Sequence, residues 1–79
     1  MQKSDLEKKA EKLEAKARQE AQKKNFDASI LLLKDAQDLY EKMGFQGQVG
    51  IIEKQIVRYQ KILELEKDTP PSPQEMGSK

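Results

Sequence analysis

Residues 30–33 read Ile-Leu-Leu-Leu, four large aliphatic side chains in succession in a chain of 79 residues that is 37% charged and 5% aromatic. At 3.6 residues per turn, four consecutive helical residues spread over about 300° of the circumference. A helix with one buried side needs apolar residues at i, i+3, i+4 and i+7 instead. The run therefore demands cover from more than one direction. It fits a helix placed between two others better than a helix lying on a surface.

The flanking sequence supplies the two neighbours. Ser4-Asp5-Leu6-Glu7 has the S-x-x-E spacing of a capping box, in which Ser4 bonds the Glu7 amide and Glu7 reaches back to Ser4. From there to Lys24 the chain has no Gly or Pro and consists of strong helix formers. Leu6, Ala10, Leu13, Ala17 and Ala21 recur at helical spacing and make one narrow, alanine-rich stripe. Asn25 breaks the pattern as a left-handed helix end and as the N-cap of a second helix. Its stripe is Ser29, Leu32, Leu33, Ala36, Leu39, Tyr40 and Met43, with Ile30 left to face a further neighbour. Gly44 is placed to end that helix in a Schellman motif, which brings Tyr40 against Phe45. Gln46–Gly50 reads as a turn, and a third helix follows along Val49, Ile52, Ile56, Tyr59, Ile62 and Leu63. Thr69 stands before Pro70 and is biased out of the helical region.

The predicted architecture is all-α: an antiparallel three-helix bundle over residues 1–68, with helices at about 5–24, 26–43 and 48–67. Residues 69–79 contain three Pro and no periodicity, and read as a disordered linker or tail.

Chemistry is scarce. With no His and no Cys, the commonest general base and metal ligand are missing, and so is the thiol nucleophile. Asp and Glu are interleaved with Lys, as solvated helical pairs are. No acidic loop has calcium spacing, and Gly44, Gly47 and Gly50 form no phosphate loop. The expectation is a non-enzymatic protein with no cofactor and no metal. The net charge of +1 and the absence of any apolar run of bilayer length point away from nucleic acid and from membrane insertion. Residues 1–24 carry eight Lys/Arg against five Asp/Glu, but no aromatic among them could stack a base or anchor in an interface. The lack of Cys fits a reducing, cytoplasmic setting.

Three aliphatics fall outside the stripes. Leu31 sits among Asp27, Ala28, Lys34 and Asp35; Ile51 among Gln48, Lys54 and Gln55; Val57 among Glu53, Lys54, Gln60 and Lys61. These three are the candidate partner-binding residues, with Lys54 and Arg58 at the rim.

The stretch "KKNFDASILLLKDAQDLYEKMG" resembles the hinge and second helix of a tetratricopeptide repeat: the turn is Asn25-Phe26-Asp27, and the small residues seven apart are Ser29 and Ala36. Ser29 stands where that repeat usually has Ala. "YEKMGFQGQVGII" is similar to the entry into a following repeat. The length, the Asn-Phe-Asp turn, Tyr59 in the third helix and the Pro-containing segment after it also resemble the MIT domain, a three-helix bundle whose inter-helix grooves hold tails of ESCRT membrane-remodelling proteins. Both resemblances imply non-catalytic binding of a peptide or helix of a protein partner, in the manner of a membrane-trafficking adaptor. The alternative is structural: a self-associating helical module, in which the surplus aliphatics form the seam of a homo-oligomer or coiled coil.

Overall fold

The computed structural model describes residues 4–68, which form three α-helices: α1 (Asp5–Gln22), α2 (Phe26–Met43) and α3 (Gln46–Asp68). The expectation for residues 69–79 lies outside the described residues. Consecutive helices are antiparallel. Ser4 at the start of α1 donates its hydroxyl to the Met43 thioether at the end of α2, and Ser29 near the start of α2 bonds α1 at Ala17. Likewise Tyr40 stacks on Phe45, while Phe26 at the other end of α2 meets Tyr59 of α3. Both α1 and α3 pack on α2, and their backbones do not approach each other. The bundle is thus a layer with α2 in the middle, the position that its aliphatic run requires.

The buried core consists of Ala10 and Ala17 of α1, Ile30, Leu33, Ala36 and Tyr40 of α2, and Ile52 and Ile56 of α3. Leu13, Leu32, Leu39, Met43, Val49, Tyr59 and Leu63 pack against it while half-buried. The predicted α1 stripe needs one correction: Leu6 is exposed. It lies in the first turn of α1, level with the last turn of α2, where little of the neighbouring helix remains to cover it. Polar ties cross both seams. The buried Ser29 hydroxyl donates to the Ala17 carbonyl at 2.8 Å. On the other side, the Gln37 amide donates to the Val49 carbonyl at 3.2 Å and to the Glu53 carboxylate at 3.0 Å.

At the start of α1 the Ser4 hydroxyl accepts from the Glu7 amide at 3.1 Å, the first of the two bonds that the capping-box spacing predicts. The two connections use one device twice. After α2, the Phe45 amide bonds the Tyr40 carbonyl and the Gly44 amide bonds the Glu41 carbonyl, with Gly44 at φ 79°. This is the Schellman pattern, and its side-chain contact is the Tyr40–Phe45 stack with ring centroids 6.1 Å apart. After α1, the Asn25 amide bonds the Glu20 carbonyl and the Lys24 amide bonds the Ala21 carbonyl. The left-handed residue there is Lys24 at φ 67°, not Asn25 as the sequence suggested. Asn25 instead uses its side chain for the motif's closing contact, donating to the Glu20 carboxylate at 2.9 Å, and makes no side-chain cap to α2.

The third helix also begins earlier than predicted. Gln46 opens it, so Gly47 and Gly50 are helical rather than part of a turn. Each glycine costs a helix interior about 1 kcal/mol relative to Ala. That cost is offset here by the burial of Ile52 and the packing of Val49 in the same two turns.

The two helix ends predict substitutions of opposite sign. Gly44→Val meets no atom within 4 Å of its new Cβ, so its cost is the backbone strain alone. It should lower stability by about 1 kcal/mol or more in a denaturant melt. Lys24→Gly should raise stability by about 0.5–1 kcal/mol, because it removes that same strain from the other end.

Candidate helix-docking groove

Small residues set the geometry of the α1–α2 seam. Ala10 and Ala17 are fully buried, and the Ser29 hydroxyl reaches the α1 backbone directly. A seam made of small side chains brings two helices close but covers only a narrow track of each. Beside that track lies a groove of about 600 Å³, lined by Lys16, Gln19 and Glu20 of α1 and by Ala28, Leu31 and Leu32 of α2. One turn further along the seam a second depression, of about 240 Å³, is lined by Lys9, Leu13, Asp35, Asp38 and Leu39. Leu13 to Lys16 and Leu32 to Asp35 are each one helical turn, so the two depressions form consecutive stretches of one valley.

The floor of the valley is leucine, formed by the half-buried Leu13, Leu32 and Leu39, and Leu31, 65% exposed, stands at its wall. Its edges differ in sign. The α1 edge presents Lys9 and Lys16, and the α2 edge presents Asp35 and Asp38. All four are exposed. Glu20, at the far end, is already engaged by Asn25 and lies 3.9 Å from the Lys23 ammonium. A leucine floor with one basic and one acidic edge suits an amphipathic helix.

Of the five candidate residues, the structure brings only Leu31 into this valley. Ile51 and Val57 are 55% and 51% exposed, but on α3. Ile51 precedes the buried Ile52 and Val57 follows the buried Ile56, so they flank the buried row of α3 on opposite sides. Lys54 and Arg58 are exposed on the same helix. The sequence reading missed Leu13, Leu32 and Leu39 as groove residues, because half-burial beside an alanine seam looks like core in a pattern of apolar spacing. The available signal was in their neighbours: Lys9 and Lys16 bracket Leu13, while Asp35 and Asp38 lie between Leu32 and Leu39.

On the other side of the hairpin, Tyr40 donates its hydroxyl to the Glu14 carboxylate at 2.5 Å. Burial raises the Tyr40 pKa well above the usual phenol range, and the hydrogen bond to Glu14 and the negative field of Glu14, Glu11 and Glu7 push it the same way. The hydrogen bond between Tyr40 and Glu14 thus ties α1 to α2. Among the described residues no group of three or more His, Cys, Asp and Glu could hold a metal ion, and no helix is long and apolar enough to cross a membrane.

The raised Tyr40 pKa fixes the sign of a pH effect. Below about pH 10 the phenol is neutral in the folded and unfolded chains alike. Above it the unfolded chain ionises first, so stability falls as pH rises. Tyrosinate absorbance should show a phenol that ionises late in the folded protein, and Glu14→Gln should bring that ionisation to lower pH. Tyr40→Phe should remove this part of the alkaline loss of stability, while costing about 1 kcal/mol at neutral pH through the lost hydrogen bond.

Comparison with protein-family models, with curated proteins and with solved structures finds no match to this chain, so the functional reading rests on the groove itself.

Proposed function

We propose that the chain is a non-catalytic protein-interaction module that holds an amphipathic helix of a protein partner in the α1–α2 groove. The observation that supports this most directly is Leu31, a large aliphatic 65% exposed at the wall of a leucine-floored valley. Single exposed aliphatics are ordinary on protein surfaces. An exposed leucine continuous with three half-buried ones, between charged edges, is the layout of a docking site whose centre is desolvated on binding. The resemblance to tetratricopeptide repeats and MIT domains extends this reading to an adaptor, of the kind that serves membrane-remodelling machinery in the cytoplasm.

The test separates folding from docking. Amphipathic helical peptides selected from a displayed library for binding to the folded chain are titrated against the wild type, Leu31→Asp and Leu33→Asp. Leu31→Asp should keep the circular dichroism spectrum and cost the fold no more than about 0.5 kcal/mol, since its side chain already meets water. It should weaken binding at least tenfold, because the new carboxylate would be desolvated beneath the peptide. Leu33→Asp should unfold the domain, since Leu33 is a fully buried core residue. Selected peptides that bind Leu31→Asp as tightly as the wild type would place docking elsewhere and refute the reading.

A further inference from the structure

The two edges of the groove carry opposite charges at the same level of the seam. Lys9, Asp35 and Asp38 line a single depression, yet among the described residues no ion pair joins the lysine to either aspartate across it. Lys16 stands about one turn from that level, on the same edge as Lys9. A foreign helix docking here would need an acidic flank for the α1 edge and a basic flank for the α2 edge. The chain already contains a surface of that description, which is this face itself.

We infer that the groove docks a second copy of the chain, face to face, about a two-fold axis running along the valley. This rests on reading the groove as a helix-docking surface, and it names the occupant. A two-fold axis parallel to the helices lays α1 of each copy over α2 of the other and keeps every residue at its own level. Lys9 of one copy then meets Asp35 and Asp38 of its partner, and the same contacts recur in the reverse direction, as an isologous interface requires. The lysine stem of Lys16 reaches toward Asp35 one turn away. Leu31, Leu32, Leu13 and Leu39 of both copies close over one another in the centre. An axis perpendicular to the helices would instead set α1 against α1 and α2 against α2, with Asp35 and Asp38 on the same edge in both copies.

Size sets the strength of this contact. Each 18-residue helix is about 27 Å long, so a two-helix face offers on the order of 500 Å² per copy. Stable complexes bury about 800 Å² per partner. The dimer should therefore dissociate on dilution. Added salt should weaken it, because its register is set by exposed charges.

The experiment is sedimentation velocity of the full chain over a range of protein and salt concentrations. The wild type should pass from monomer towards twice the monomer mass as concentration rises. Lys9→Glu with Lys16→Glu should stay monomeric, and so should Asp35→Lys with Asp38→Lys. An equimolar mixture of the two variants should restore the dimer, since their edges are again complementary. Lys54→Glu with Lys61→Glu makes the same change of charge on α3, away from the groove, and should dimerise as the wild type does. Independently of any variant, isotope-filtered NMR on mixed labelled and unlabelled wild type should show contacts between copies at the Leu31 and Leu39 methyls. A wild type that is monomeric throughout, a mixture that stays monomeric, or groove variants that dimerise unchanged would each overturn the inference. If the wild type is monomeric while selected peptides still bind in a Leu31-dependent way, the self-pairing fails and the docking function stands. If both are absent, both fail.

Discussion

The hydrogen bond from the Ser29 hydroxyl to the Ala17 carbonyl is short, buried and made directly to a helix backbone. The small side chains of Ser29 itself and of the buried Ala17 permit that close approach of α1 and α2. Ala10 and Ala36, both fully buried, belong to the same core. Most of the molecule's other features follow from that close approach. With the hairpin held on a thin track, Ile30 and Leu33 can serve the core that continues to Ile52 and Ile56 of α3. The leucines just outside the track are then left at a valley rather than under a neighbour.

Small seam residues also explain why the molecule depends on its ends and ties. Among the described residues, three of the eight buried apolar ones are alanine, and alanine burial contributes little area. A thin core gives terminal motifs more weight in the total. Both Schellman endings are closed by a side-chain contact, aromatic after α2 and polar after α1. Tyr40 is the residue that joins these levels. It is core, it closes the α2 ending against Phe45, and its hydroxyl reaches back to Glu14.

Much of this was legible from residue types alone. Gly44 before an aromatic, Ser4 three residues before Glu7, and four aliphatics in a row announced a helix end, a helix start and a central helix. What was not legible was decided by packing against local preference. Lys24 adopts a left-handed backbone although Asn25 is better suited to it, because the helix register puts residue 24 at that position and gives Asn25 the contact with Glu20. Gly47 and Gly50 read as a turn, yet α3 starts at Gln46, since Val49 and Ile52 reach α2 only if those turns are helical. For the site, periodicity picked out Leu31, Ile51 and Val57 as outliers, and all three are exposed. Outlier status on one helix says nothing about where that side lies relative to another helix: Leu31 lines the α1–α2 groove, while Ile51 and Val57 stand on either side of the buried row of α3.

The same thin core makes association and folding inseparable in energy. A ligand or second copy that binds only the folded chain stabilises it by an amount that grows with its concentration over its dissociation constant. In a large domain this adds little to an ample margin. In a domain of this size the margin is only a few kcal/mol, so even a weak contact over Leu31 and its neighbours is a sizeable fraction of it. On the proposed reading, the leucine-floored groove has an energetic role beside recognition. A partner that closes it would remove from water the apolar area that the alanine seam leaves uncovered, and the charges on its edges would select the surface that does so.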